Sequence, residues 1–173
     1  MYLLDTNILI RAKNEYYGLD FAPGFWDWVA EEYVANDLRS ISAVHDELVA
    51  KKDDLSTWVS RLPADFWLEE TDDDVSSLRT VAQWTMTNPG RYSQQARIDF
   101  LAKADYRLVA AAAAGKHTIV THETSAADAV RIVKIPDACA AFKVDCREPF
   151  QLFRELGLQL VRPATAGTAS ESR

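Results

Sequence analysis

The order of hydrophobic and polar positions along the chain predicts short strands that alternate with helices. Residues 2–5 form a compact apolar run typical of a buried strand, and residues 7–13 continue as a helix. In residues 25–34 the apolar side chains recur at helical spacing. The segment "LRSIS" is then strand-like and precedes a further helix at 43–51.

The second half of the chain repeats this alternation after a long helical stretch. Residues 55–100 are mostly helical in pattern, with breaks at Pro63, at "TDDD" and at "NPGRYS". A helix at 104–114 ends at Gly115, a residue that favours helix C-termini. Beyond it we expect strands at "HTIVT", "RIVKI" and "LQLV" and helices at 136–142 and 150–156.

Strands that alternate with helices indicate an α/β fold with a central, mainly parallel sheet covered on both sides. In open sheets of this class, ligands bind beyond the carboxyl ends of the strands. Residues 163–173 contain little that could be buried and are expected to be a disordered tail.

Four acids satisfy this geometric expectation. Asp5 follows the first strand, and Glu123 follows the strand "HTIVT" at the equivalent end. On the helix at 43–51, Glu47 lies at the margin of the apolar face. On the helix at 104–114, Asp105 lies within the apolar face, where a carboxylate is costly unless it is paired or binds a cation.

Each acid also has a structural explanation. Asp5 could cap the helix that follows it, and Asp105 could favour a helix N-terminus. Glu47 could lie at the rim of the core and Glu123 in a loop. Asp46 and Asp99 are expected to point away from the apolar faces of their helices. The joint placement of the four acids is a stronger argument than any one of them.

Composition and charge limit the classes of function. The formal net charge of −7 argues against a broad basic nucleic-acid-binding surface but allows acids that gather around divalent cations. No apolar run reaches the roughly 20 residues that span a bilayer, and no export signal precedes the first strand, so we expect a cytoplasmic protein. Cys139 and Cys146 form neither a CxxC metal motif nor a disulfide framework.

The segments "LLDTNILI", "ISAVHDEL", "ADYRLVAAAA" and "IVTHE", in this order, resemble the signature segments of PIN-domain nucleases, a family that includes the VapC-type ribonuclease toxins. The resemblance implies a three-layer α/β/α PIN-like domain over residues 1–162, with a helical insertion at about 53–100. Asp5, Glu47 and Asp105 match the three core metal-binding acids of the family. Glu123 matches a fourth acid that is usually Asp.

The resemblance also implies the chemistry. Mg²⁺ or Mn²⁺ would bind at the four acids, and RNA would be hydrolysed to a 5′-phosphate and a 3′-hydroxyl. Thr6, Asn7 and Thr121 match small polar positions that orient a carboxylate or a water. The protein would be the toxin of a type II toxin–antitoxin pair, with a cognate antitoxin as its partner. Homodimers are common in the family, and the aromatic segment at 25–34 could form such an interface.

Several side chains are candidate contacts for RNA near the cleft: His122, Arg11, Lys13, Arg91, Arg97 and Lys103. Three other functions stay open. The first is a catalytically silent, metal-binding interaction module with the same fold. The second is a phosphatase with Asp5 as nucleophile, disfavoured because Asn7 stands where a second Asp is usual. The third is a histidine-based ribonuclease, disfavoured because the three histidines are not paired.

Overall fold

A computed structural model describes residues 1–87 and 91–161 of the chain. Its centre is a sheet of five short strands, all parallel, in the order β3-β2-β1-β4-β5. The predicted tail at 163–173 lies outside the described residues. The strands are β1 (Tyr2–Leu4), β2 (Leu38–Ile41), β3 (Trp67–Leu68), β4 (Thr118–Val120) and β5 (Cys146–Arg147).

Helices connect every strand to the next, as the alternating pattern predicted. A π-helical turn follows the first helix at Ala12–Tyr16, and a 3₁₀ turn at Ala64–Phe66 precedes β3. The α-helices are α1 (Thr6–Arg11), α2 (Pro23–Ala35), α3 (Ser42–Val49), α4 (Asp54–Val59), α5 (Asp72–Thr87), α6 (Gln94–Leu101), α7 (Ala104–Gly115), α8 (Ile135–Phe142) and α9 (Pro149–Glu155).

The sheet lies between two layers of helices. The chain passes from β1 to β2 to β3 and then crosses to β4 and β5 on the other side of β1. Because parallel crossovers are right-handed, the helices before and after β3 cover opposite faces. Helix α2 packs on β2, whereas α7 contacts β2 and β4 and also packs against α5 and α8. The central strand is accordingly apolar on both faces, with Leu3 and Leu4 fully buried. This confirms the predicted α/β class and parallel sheet.

The helix ends follow the local sequence. Asp53 and Ser56 form a reciprocal capping box at the start of α4. Ser93 caps α6 by accepting from the backbone N–H of Ala96. Helix α7 includes Gly115, and the left-handed residue that ends it is Lys116 (φ 55°), one position later than predicted.

Two predicted strands are absent from the described residues, and two others were missed. In "RIVKI", Ile135 begins helix α8, and residues 131–134 form no strand. Residues 158–161 also form none, and β5 occupies that edge of the sheet instead. The stretch at 55–100 contains β3 among its helices. Strands β3 and β5 have two residues each, too few to produce a recognisable period.

The large aromatic side chains at the start of the segment 25–34 pack inside the chain. Phe25 is fully buried and Trp28 is 9% exposed. Phe25 stacks on Tyr17 with a centroid distance of 4.2 Å, and Phe153 of α9 packs edge-on against Phe25 and Trp28. These rings join α2 to α9 within one chain. A homodimer stays a prediction without an assigned surface.

No helix within the described ranges combines the length and the apolar character needed to cross a membrane.

The buried aromatic cluster predicts that Phe153→Ala lowers the free energy of unfolding by about 3–5 kcal/mol, because the deleted ring leaves a cavity against Phe25 and Trp28. Urea unfolding followed by tryptophan fluorescence measures this loss. Phe21→Ala is the control, because Phe21 is 71% exposed and its truncation should cost less than about 0.5 kcal/mol. Equal effects of the two substitutions would contradict the assignment of Phe153 to the core.

Candidate functional site

The parallel register brings the ends of β1 and β4 side by side. Leu4 of β1 is the partner of Val120 of β4, and the backbone N–H of Asp5 donates to the carbonyl of Val120 at 3.0 Å. The residues after Leu4 and after Val120 therefore meet at the carboxyl edge of the sheet. Asp5 comes from the first group and Thr121 and Glu123 from the second.

Asp5 is both a helix cap and a buried acid. Its side chain is 1% exposed and accepts hydrogen bonds from the Thr121 hydroxyl at 2.9 Å and from the Asn7 backbone N–H at the start of α1. The pKa of Asp5 is raised to about 6, chiefly by burial; the two hydrogen bonds oppose this shift, and the charges of Glu123 and Glu47 add to it. Asp5 can therefore cap α1 and also belong to the acidic group at the edge of the sheet.

Glu47 joins three helices at this edge. It lies on α3, and its Oε2 accepts from the Thr6 hydroxyl of α1 at 2.7 Å. Its Oε1 accepts from the backbone N–H of Ala104, the first residue of α7, at 3.0 Å. Asp46, the neighbouring acid, is exposed as predicted. Glu47 is thereby fixed next to the first turn of α7, which carries Asp105.

Asp105 is the least compensated acid of the group. Burial raises its pKa to about 7; the charges of Asp5, Glu123 and Glu47 add to the shift, and Lys103 opposes it. Among the described residues its carboxylate has no hydrogen-bond donor. The site therefore concentrates negative charge where solvent access is limited, the environment in which perturbed pKa values mark functional sites.

Glu123 has a different environment. Its Oε1 accepts from Lys134 Nζ at 2.9 Å, and its Oε2 accepts from the backbone N–H of Ile135 at 2.8 Å. Its own backbone N–H donates to the Thr121 hydroxyl at 3.0 Å. Glu123 therefore satisfies the N-terminus of α8 and the Lys134 ammonium. The length of the Glu side chain lets one carboxylate contact both groups.

The carboxylates at this edge are hard oxygen ligands, the type that a divalent cation such as Mg²⁺ prefers. The uncompensated charge of Asp105 and the raised pKa of Asp5 support this fit. The side-chain positions themselves do not form a complete ligand set. Within the described ranges, no three Asp, Glu, His or Cys side chains are grouped closely enough to hold a metal ion. The oxygens of Glu47 and Glu123 face hydrogen-bond donors instead.

An open cleft of about 620 Å³ lies over these acids. Thr6, Asn7, Glu47, Asp105 and Glu123 line it, together with Asp99 and the cations Lys51, Lys103 and Arg131. Asp99 was expected to point away, but α6 ends at Leu101 and α7 begins at Ala104, so the helical phase does not continue. Lys51 and Arg131 were missed, because nothing in their local sequence distinguishes them from other surface cations.

The predicted RNA contacts have different positions. Lys103 lines the cleft. Lys13 forms ion pairs with Asp53 and Asp54, and the Arg11 guanidinium pairs with Glu15 at 2.8 Å. Those two cations are therefore already partnered by nearby acids and do not line the acidic cleft.

The remaining predicted contacts also lie outside the cleft lining. Arg91 pairs with the buried carboxylate of Asp137 at 3.1 Å. Arg97 donates to the backbone carbonyl of Met86 at 3.0 Å. The His122 ring packs between Tyr16 and Phe150, with centroid distances of 5.8 and 5.4 Å, and burial lowers its pKa. Each of these side chains has a packing or pairing role of its own.

The fold and site define an α/β protein with an acidic cleft at the carboxyl edge of a parallel sheet. Over residues 2–160 the chain matches the family model described as "Domain of unknown function (DUF4411)", and it belongs to that family. Comparison with the curated proteins found no match, and comparison with the solved structures found none either.

The charge of Asp105 predicts that Asp105→Asn stabilises the protein at alkaline pH without divalent cations. Its raised pKa means that the folded state retains the proton better than the unfolded state, so ionisation costs stability as the pH rises from about 4 to 7. The neutral Asn avoids this cost. We expect a melting temperature at least about 2–4 °C above wild type at about pH 8, with the difference gone near pH 4.

Thermal unfolding in EDTA across this pH range is the measurement. Asp46→Asn is the matched control, since Asp46 is exposed on α3 and should change little at any pH. A destabilising effect of Asp105→Asn at alkaline pH would refute the argument that ionisation of the buried Asp105 costs stability.

The contacts of Glu123 predict a structural loss when it is truncated. Glu123→Ala removes the acceptor for the Ile135 N–H and the partner of Lys134, and should lower the free energy of unfolding by about 1–2 kcal/mol. Urea unfolding of the single variants and of the double variant with Lys134→Met gives the coupling energy of the ion pair, expected near 0.5–1 kcal/mol. Strict additivity would show that the pair contributes nothing.

Proposed function

We propose that this protein is a metal-dependent endoribonuclease that hydrolyses RNA phosphodiester bonds. The observation that carries the proposal is that Glu47, Asp105 and Glu123 line one cleft, with the buried Asp5 close enough for its charge to raise the pKa of Asp105. Hydrogen bonds that hold this group join residues 41, 57 and 116 positions apart in the chain. The resemblance of the surrounding segments to PIN-domain nucleases supports the same conclusion.

Asp5, Asp105 and Glu47 are the residues that would hold Mg²⁺ or Mn²⁺, with Glu123 at the margin of the site. Such an ion, when bound, supplies an activated water and neutralises charge on the scissile phosphate and the leaving 3′ oxygen. No protein nucleophile is needed, and the products carry a 5′-phosphate and a 3′-hydroxyl.

The side chains of the protein hold these acids in place. The Thr121 hydroxyl fixes one oxygen of Asp5, and the Thr6 hydroxyl with the Ala104 N–H fixes both oxygens of Glu47. Burial favours the protonated form of Asp5 and Asp105 when no cation compensates them. Metal binding at these acids therefore releases protons and strengthens as the pH rises.

We further propose that the protein acts in the cytoplasm as the toxin of a type II toxin–antitoxin pair. A cognate antitoxin would bind the toxin and block the acidic cleft. The two free thiols, Cys139 and Cys146, fit a reducing compartment.

One observation favours a second candidate, a silent metal-binding interaction module. The oxygens of Glu123 face Lys134 and Ile135, and those of Glu47 face Thr6 and Ala104, so the acids are engaged in structural contacts. Occupied acidic positions alone do not produce turnover, and activity has to be measured.

The deciding experiment incubates a mixed tRNA and mRNA pool with wild type, Asp5→Asn or Asp105→Asn in Mn²⁺, in Mg²⁺ and in EDTA. We expect divalent-dependent cleavage by wild type and a loss of at least about 100-fold in both variants, because each removes a charge from the metal site. Asp46→Asn should keep wild-type activity. End-group analysis should find 5′-phosphates.

Intact RNA after incubation with wild type, combined with a rise in melting temperature on adding Mn²⁺, would replace the nuclease with the silent module. Cleavage that persists in EDTA, or in both variants, would exclude these acids as the reactive centre.

A further inference from the structure

The walls of the acidic cleft carry cations that the proposed chemistry does not use. Lys51, Lys103 and Arg131 all line the cleft, and all three side chains belong to exposed residues. They come from three separate elements: the turn after α3, the residue before α7, and the loop between β4 and α8. Within the described ranges none of the three forms an ion pair with an acid of the chain.

The acids lie deep in the site and the three cations lie at its surface. Asp5 is 1% exposed and Glu47 and Asp105 are half-buried, whereas the three cations lie among exposed residues. Asp99 is the acid that shares the exposed wall, and it accepts a hydrogen bond from Gln95 at 2.6 Å. The exposed part of the cleft is therefore positive in balance, in a chain whose formal net charge is −7.

The cations are positioned by contacts of the backbone around them. The residue after Lys103, Ala104, donates its N–H to Glu47, which places Lys103 directly beside the acids. Before Arg131, the carbonyl of Val130 accepts from the Ser93 N–H at 2.8 Å. The backbone of the Arg131 loop is thus tied to the start of α6, and Arg131 lines the cleft.

The same loop is fastened at its base by Asp137 of α8. This buried carboxylate accepts from the Ser125 hydroxyl at 2.6 Å and from the Ala126 N–H at 3.3 Å, and it pairs with Arg91. The loop that contains Arg131 is therefore held at Ser125 and Ala126 and again at Val130.

We propose that Lys51, Lys103 and Arg131 form a phosphate-binding rim that holds single-stranded RNA across the acidic cleft. The inference rests on the proposed nuclease function and names residues that contact the phosphates on either side of the scissile bond. Cations outside the metal site are the groups that a polyanionic strand requires for affinity.

The shape of the cleft favours a single strand over a duplex. Its volume of about 620 Å³ is that of a small-ligand pocket, so a strand enters it one or two nucleotides at a time. Ile132, which is 40% exposed, stands beside Arg131 on the same wall and offers an apolar contact to a base. A base that is already paired and stacked cannot use that contact.

The test measures binding without turnover, in the Asp105→Asn background with Mg²⁺ present. Fluorescence anisotropy follows a labelled single-stranded RNA of about 12 nucleotides from about 50 to 200 mM KCl. Three phosphate contacts predict a slope of log K against log salt near −2, and each of Lys51→Gln, Lys103→Gln and Arg131→Gln should make it shallower by about 0.7. Arg79→Gln, an exposed charge change on α5 outside the cleft lining, should leave the slope unchanged.

The phosphate-binding rim would be refuted if the three variants had the same salt slopes and affinities as Arg79→Gln. A duplex of the same length that binds as tightly as the single strand would overturn the single-strand assignment. If the rim variants weaken binding as expected but wild type cleaves no RNA, the phosphate rim stands and the nuclease function falls. The two failures are thereby distinguishable.

Discussion

The burial of negative charge at the carboxyl edge of the sheet is the constraint on which the rest of the site depends. Asp5 has almost no solvent contact, so its carboxylate is supported by the protein itself. Thr121 and the first turn of α1 give that support. The same donors fix where β1 ends, where α1 begins and how β4 continues into its loop. A geometry built to hold one buried acid thereby sets the position of the others.

Neutral side chains would favour the stability of this edge, whereas the proposed chemistry needs acids there. Burial raises the pKa values of Asp5 and Asp105, and the charges of the neighbouring acids raise them further. An apolar or neutral set of side chains would make a more stable domain. The fold retains the acids, and its hydrophobic packing includes the aromatic contacts between α2 and α9. A site that concentrates like charge in this way is suited to a cation.

Much of the fold and of the acidic group could be predicted from the sequence, because the hydrophobic patterns that indicate them extend over only a few neighbouring residues. The apolar run before Asp5 and the helical phase around Asp105 each depend on a few neighbouring residues. The ion pair of Glu123 with Lys134 could not be predicted in this way, since it needs the path of the loop between them. The cleft position of Asp99 was missed because the chain breaks between α6 and α7, so the apolar face of α7 does not predict where Asp99 points on α6. Strands β3 and β5 are defined by their partners, not by any period of their own.

The ion pair between Arg91 and Asp137 links parts of the chain that would otherwise be independent. Asp137 belongs to α8, Arg91 precedes α6, and the loop of Arg131 is fastened to both. The loop at the entrance of the cleft is therefore held by hydrogen bonds to α8 and to the start of α6. The width of the entrance depends on how α6 and α8 pack against α7. A displacement of α6 or α8 would therefore change the entrance without any contact to the acids themselves.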